Sequence, residues 1–198
     1  MSESGPFYST FIDPLLTTMR KRVALEVKSN EQIIDVACGT GAQAFVLSKT
    51  AAKVTGVDLS ESMITHAKNA SLKKKITNAE FFVCDATDLK SFKNKNFDIA
   101  IMSLALHQFS PDLHVPILNE MKRVANKIIL VDYNVPLPQN YTGFGSRVAE
   151  FLAGKEHNKN FKSYYKLGGL NEILVTNNLK IEKSKLMGKG AFQMVVCS

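Results

Sequence analysis

The residues best suited to chemistry recur at regular intervals along the first two thirds of the chain. Gly39-Thr40-Gly41 forms a glycine turn, with Asp35 and Ala37 just before it. Asp58, Asp85, the stretch Ser103–His107 and Asp132 follow, each after an apolar run. Glycines in a turn let a backbone approach a ligand without a Cβ in the way. Gly39–Ala44 also fits G-x-G-x-x-[GA], the dinucleotide fingerprint. An aspartate after the second apolar run can accept two hydroxyl hydrogen bonds from a ribose. Asp85 can accept from an exocyclic amine such as adenine N6, with the Ala86 amide donating to the ring beside it. Leu59 and Met63 can sandwich such a ring, because thioethers pack well on aromatic faces. Each residue also has a plainer reading: turn glycines, a solvated or capping aspartate, a packing methionine.

These residues need a scaffold that brings them to one edge. Residues 7–28 read as helical, with Phe11, Leu15, Leu16, Met19, Val23 and Val27 at spacings of three and four. Strand and helix patterns then alternate. "QIIDVA", "KVTGVD", "AEFFVCD", "FDIAIMSLA" and "KIILVDY" read as strands. Helices are expected over 42–51, from Ser60 to about 70, and from Pro111 through "LHVPILNEMKRVAN", where Pro116 should perturb the first turns. This alternation implies a parallel sheet covered by helices. In such sheets ligands bind outside the carboxyl ends of the strands, which is where the glycine turn, Asp58, Asp85, Ser103–His107 and Asp132 fall.

Residues 134–160 break the pattern with Pro136, Pro138, Gly143, Gly145 and Gly154, and are expected to be loop with at most one helix, around 144–153. Residues 169–178 read as a helix. "KIEKSKLM" and "AFQMVVCS", separated by Gly188-Lys189-Gly190, carry a hairpin signal.

The bulk numbers narrow the class. A chain of 198 residues, 45% hydrophobic and 22% charged, suits one globular domain. No apolar run is long enough to span a bilayer, and the N-terminus has no basic-then-apolar leader pattern. Cys38, Cys84 and Cys197 show no metal-like pairing and read as reduced thiols, so a cytoplasmic protein with no metal site is expected. The net charge of +7 comes mostly from scattered lysines. The run Lys73–Lys75 suits a helix terminus, and arginines are few (Arg20, Arg22, Arg123, Arg147). No specific nucleic-acid partner is expected.

"DVACGTG", "GVDLSESMITHA", "CDATDL", "FDIAIMSLALHQF" and "GGLNEIL…AFQMVV" together resemble the class I methyltransferases that use S-adenosylmethionine (SAM). The likeness is closest to the small-molecule branch related to the ubiquinone/menaquinone methyltransferases. Ala37 departs from the glycine frequent at that position in the first motif. The resemblance implies an α/β, doubly wound Rossmann-like sheet of seven strands in the order 3-2-1-4-5-7-6, mostly parallel with an antiparallel last strand. The single domain would comprise an N-terminal helical cap (1–30), a SAM-binding core (31–132), a substrate lid (133–168), and a last helix with a C-terminal hairpin (169–198). Asp35, Ala37, Gly39 and Gly41 would border the methionine moiety, Asp58 the ribose, and Asp85 and Ala86 the adenine. Ser103, Leu104 and His107 would lie toward the sulfonium. A dinucleotide enzyme is disfavoured by the helical segment ahead of the first strand.

The implied activity is methyl transfer from SAM to a small acceptor, leaving S-adenosylhomocysteine. His107 is the candidate general base. "SLALHQF" after the fourth strand lacks the [D/N]-P-P-[Y/F/W] sequence expected for methylating amino groups on bases or glutamine. The aromatic insertion suggests a lid over an apolar or aromatic acceptor, with Tyr8, His157, Tyr164 and Tyr165 as contact residues. An RNA methyltransferase and a non-catalytic SAM-binding module are the alternatives.

Overall fold

A computed structural model describes residues 13–152 and 154–198 of the chain. In chain order the elements are α1 (Asp13–Ala24), β1 (Gln32–Val36), α2 (Ala42–Leu47), β2 (Lys53–Asp58), α3 (Glu61–Lys73) and β3 (Ala79–Val83). Then come β4 (Phe97–Ser103), α4 (Pro111–Val124), β5 (Ala125–Tyr133), α5 (Tyr141–Leu152), α6 (Lys155–Lys166), α7 (Gly169–Thr176), β6 (Ile181–Met187) and β7 (Phe192–Cys197). A single 3-10 turn, Leu106–Gln108, joins β4 to α4.

The seven strands form one sheet in the order β3-β2-β1-β4-β5-β7-β6. β1 to β5 run parallel, and β7 is antiparallel to both β5 and β6. This is the order and polarity that the sequence implied. The central strands are apolar almost throughout: Ile33, Ile34 and Val36 on β1, Ile99–Met102 on β4 and Ile128–Val131 on β5 are all buried. Near-continuous apolar runs mark strands covered on both faces. The order reverses between β1 and β4, so the loops after these strands splay apart and leave a crevice.

The helices follow their sequence signals. Ser60 caps α3, its side chain accepting the Met63 amide at 3.4 Å. Lys73 and Lys74 close the same helix, and Lys75 takes a positive φ. α1 buries Leu16, Met19 and Val23 and packs on α2. Pro116 lies inside α4, whose Ile117, Leu118, Met121 and Val124 are still fully buried. That apolar stripe holds the helix together across the missing amide.

The insertion after β5 differs from expectation, since it holds two helices, α5 and α6, rather than loop with one. Gly143 and Gly145 lie within α5. Gly143 is required for packing: a Cβ there would stand 2.0 Å from the Pro138 carbonyl oxygen. Gly154, at φ 113, separates the two helices. Two of the glycines that read as loop markers, Gly143 and Gly154, therefore serve close approach and a helix break. Among the described residues no helix is long and apolar enough to cross a membrane.

Candidate functional site

A cleft of about 560 Å³ opens at the carboxyl ends of β1, β2, β3 and β4, within the size range of small-molecule sites. Its wall includes Ala37 to Thr40, Asp58 to Ser60, Met63, Cys84 to Ala86 and Ser103 to Ala105. Most of the sequence-predicted cofactor residues thus share one cavity.

The glycine turn is held from two sides. Asp58 accepts the Gly39 amide on Oδ2 at 2.8 Å and the Ser60 amide on Oδ1 at 2.9 Å. A carboxylate offers about four acceptor positions, so one remains on each oxygen. Gly39 is at φ 53 with open space where a Cβ would be, whereas Gly41, at φ 78, is packed on Phe81. A Cβ on Gly41 would lie 2.9 Å from Phe81 Cε1, and one on Gly56 would lie 2.6 Å from Phe81 Cδ1. Phe81 meets Phe45 edge-on, with ring centroids 5.7 Å apart. The ring from β3 thus supports the turn from beneath.

Asp35 is buried behind the turn. Burial raises its pKa to about 7; the Ala44 amide and Arg20 oppose the shift, and Asp58 adds to it. Its Oδ2 has no hydrogen-bond partner. Ser103 Oγ and Gln43 Oε1 are also buried without partners, and both residues line the cleft. Buried unpaired polar atoms are uncommon in folded proteins, and two of these three belong to the cleft wall. Leu59 and Met63 line the same space while 70% and 42% exposed, an apolar surface with no protein partner over much of its area. Asp85 accepts from the Thr87 amide and hydroxyl through Oδ1, both at 2.8 Å.

Cys38 and Cys84 line the cleft too. Burial, reinforced by neighbouring aspartates, pushes both thiols up, so neither offers a thiolate.

Sequence reasoning missed several wall residues. Met19 and Arg20 reach the cleft from α1, Gln43 from α2, and Gln108 and Phe109 from the turn after β4. Arg20 stands four residues after Leu16, at the edge of the apolar stripe on α1. A charge beside a buried stripe was the available signal.

The expectation of His107 as a base does not match its geometry. The side chain is 2% exposed and is not part of the cleft wall. Its Nδ1 lies 2.5 Å from Asp132 Oδ1, and its Nε2 faces Glu150 Oε1 at 3.5 Å. Burial opposes charge on the ring, but Asp132 and Glu150 outweigh it and raise its pKa to about 9. Burial likewise works against the charge on Glu150, yet His107, a hydrogen bond from Tyr133 and the charge of His157 hold its pKa below the usual value. Both ring nitrogens of His107 therefore already face carboxylates.

The residues expected to touch an acceptor separate as well. His157 packs against His107, with ring centroids 5.4 Å apart, and meets Glu150 Oε2 at 2.5 Å. Tyr164 has no exposed surface and donates its hydroxyl to the Tyr133 carbonyl at 2.8 Å. Tyr165 packs partly buried against the core and near Phe161. Tyr8 lies outside the described residues.

Residues 27–182 match the family described as the methyltransferase domain. The chain belongs to that family. The demethylmenaquinone methyltransferase of Lactococcus lactis subsp. lactis is 32% identical over 142 residues, covering 67% of this chain and 55% of the relative. Matches to this and other curated relatives span between 18% and 62% of the relatives' own length. Among solved structures, the PH0226 protein of Pyrococcus horikoshii aligns with a TM-score of 0.72 at 20% identity, over 97% of each chain. A SAM-dependent methyltransferase from Aquifex aeolicus aligns with a TM-score of 0.68 at 19% identity, over 98% of this chain and 93% of its own. The likeness extends across the Rossmann-like sheet, insertion and hairpin included.

Proposed function

We propose that this methyltransferase binds SAM in the cleft and transfers its methyl group to a small, apolar or aromatic acceptor. The observation that carries this reading is the pattern of the wall. It combines a glycine turn, Asp58 at the end of β2, Asp85 just after β3, exposed apolar side chains between them, and an unpaired Ser103 hydroxyl at the end of β4. A sugar, an amino-bearing ring and an amino-acid tail each have a counterpart there.

When bound, SAM supplies an activated methyl group on a sulfonium. The protein's own contribution is alignment and exclusion of water. The open acceptor position on each Asp58 oxygen would take a ribose hydroxyl. Leu59 and Met63 would cover the adenine, with Asp85 and the Ala86 amide along its polar edge. Gly39 and Ala37 would let the amino-acid portion lie against the backbone. Asp35 behind the turn, Ser103 and Gln43 would complete its polar contacts, and the Arg20 guanidinium would face its carboxylate. Leu104, at φ 54, turns the chain after β4 so that Gln108 and Phe109 form the wall toward the insertion. An acceptor would enter on that side. His107 would act through the position of the Leu106–Gln108 turn rather than by taking a proton from the acceptor.

An RNA acceptor is less well supported. Among the described residues no lysine lines the cleft, and Arg20 is the single cation on its wall; RNA binding draws on a basic surface. The test is calorimetry with SAM, S-adenosylhomocysteine and NAD, followed by assay of S-adenosylhomocysteine release against a panel of small acceptors. Stoichiometric binding of the first two without NAD supports the reading. NAD binding without SAM binding overturns it.

A further inference from the structure

We propose that His107, Glu150 and His157 form a divalent transition-metal site, with donors suited to Zn²⁺, that fastens the α5–α6 insertion to the core. The three residues come from separate segments: His107 from the turn after β4, Glu150 from α5 and His157 from α6. One ligating atom of each lies within 4.8 Å of the others. Donors around a tetrahedral Zn²⁺ with bonds of about 2.0–2.1 Å stand about 3.4 Å apart. The His107 Nε2–Glu150 Oε1 separation of 3.5 Å fits that spacing as it stands. Glu150 Oε2 and His157 Nε2 are closer, at 2.5 Å, yet do not have hydrogen-bonding geometry, and both atoms are buried without a hydrogen-bond partner. Two acceptor-capable atoms that meet without a hydrogen bond between them are what a shared cation would explain. His157, the most exposed of the three, is free to adjust by the small distance required.

The surroundings agree. Asp132 engages His107 Nδ1 at 2.5 Å, which leaves Nε2 as the ligating nitrogen; a carboxylate behind a metal-bound histidine fixes ring orientation and basicity. Asp132 is itself held by the backbone amides of His107 and Tyr133. The charge count also closes. Asp132 and Glu150 bring two negative charges, which one divalent ion balances with both imidazoles neutral. Tyr133 and Phe161 enclose the group edge-on, with ring centroids 4.9 Å and 6.1 Å from that of His107. Two imidazoles and one carboxylate favour a borderline ion such as Zn²⁺ over Mg²⁺ or Ca²⁺. An ion here would lock the insertion beside Gln108 and Phe109, the cleft wall that Asn160 also ties to α6 by donating to the Gln108 carbonyl at 2.7 Å.

The experiment uses the full chain after chelator treatment, titrated with Zn²⁺ against a chromophoric competitor, with Co²⁺ as a spectroscopic probe. One equivalent of Zn²⁺ should bind, Co²⁺ should give the visible absorption of a four-coordinate site, and Zn²⁺ should raise the melting temperature. His157→Ala, changed at the most exposed ligand, should weaken Zn²⁺ by more than the about tenfold to hundredfold that loss of an outer-shell partner costs, and should abolish the thermal shift, with its circular dichroism unchanged. His66→Ala, on the exposed face of α3, should behave as the parent. Absence of stoichiometric Zn²⁺ binding by the parent chain overturns the proposal, and so does equal binding by the parent and His157→Ala. Should His157→Ala fail to fold, Glu150→Gln takes its place with the same expectations. Calorimetry with SAM reads the cofactor cleft separately, so the two readings fail independently.

Discussion

Asp58 accepts the Gly39 amide at 2.8 Å, so the carboxylate that ends the second strand holds the turn that ends the first. One side chain therefore shapes the cofactor loop and, in the proposed function, receives the ribose. Asp58→Ala should weaken SAM binding by about 1–3 kcal/mol and also lower stability, because the Gly39 and Ser60 amides lose their acceptor. Asp58→Asn keeps one acceptor oxygen and should fall between. Calorimetry and thermal melts on the pair separate the two roles. Unchanged SAM affinity in Asp58→Ala would move the ribose elsewhere.

The two glycines of the turn should respond differently to the same change. Gly41→Ala combines left-handed backbone with a contact of 2.9 Å to Phe81, and should cost about 2–4 kcal/mol of stability. Gly39→Ala meets open space, so only the backbone strain of about 1–2 kcal/mol applies. Its new methyl would project where the cofactor is proposed to lie, and SAM affinity should drop more than stability does. Equal losses of stability in both variants would contradict this division.

Much of this arrangement was legible in the residues alone. The five apolar runs, four with an Asp or Gly at their ends and the fourth with Ser103, define parallel strands, and a parallel sheet puts those ends on one edge. Hence Asp58, Asp85 and Ser103 could be assigned to one cleft. His107 could not be oriented that way. In a 3-10 turn successive side chains point about 120° apart, so Leu106, His107 and Gln108 face three directions. Gln108 reaches the cleft wall, while His107 turns inward to Asp132. Nothing local in "LALHQF" distinguishes those outcomes, because the partners, Asp132, Glu150 and His157, come from distant segments. Gly143 was misleading for a related reason: its helical place depends on the Pro138 carbonyl that it packs against.

Tyr164 offers a direct check on which insertion residues meet an acceptor. Its hydroxyl donates to the Tyr133 carbonyl inside the protein. Tyr164→Phe leaves that carbonyl short of a donor and should cost about 1–2 kcal/mol of stability. SAM affinity and acceptor preference should stay as in the parent. A changed acceptor profile with an unchanged melt would place this ring in the acceptor pocket after all.

Asp35 should impose a pH dependence on the stability of the cofactor-free protein. Burial raises its folded pKa from 3.8 to about 7, against the opposing Ala44 amide and Arg20 and with help from Asp58. Between those values the folded state keeps a proton that the unfolded state has lost. Stability from this group therefore falls as pH rises through the window and is flat above it, with a slope approaching about 1.4 kcal/mol per pH unit. Asp35→Asn keeps an acceptor for the Ala44 amide and removes the titration. It should be the more stable protein at pH 8, and its advantage should shrink toward pH 4. Denaturant melts across that range give the slope; parallel profiles for parent and variant would mean that Asp35 is ionised in both states.

Arg20 reaches the cleft from α1, outside the strand-end motifs, and faces the region where the amino-acid tail of SAM is proposed to lie. Its charge acts on Asp35, lowering that carboxyl's pKa against the larger effect of burial. Arg20→Gln should therefore do two things. It should weaken SAM binding by about 1.5–3 kcal/mol, the range for a hydrogen bond to a charged group, and it should raise the Asp35 pKa further. The second effect would shift the stability-versus-pH profile of the cofactor-free protein upward along the pH axis, an outcome that simple loss of a surface cation would not produce. Adenosine, which lacks the amino-acid tail, should bind parent and variant alike. If adenosine affinity falls as far as SAM affinity does, Arg20 supports the fold of the cleft rather than the carboxylate of its ligand.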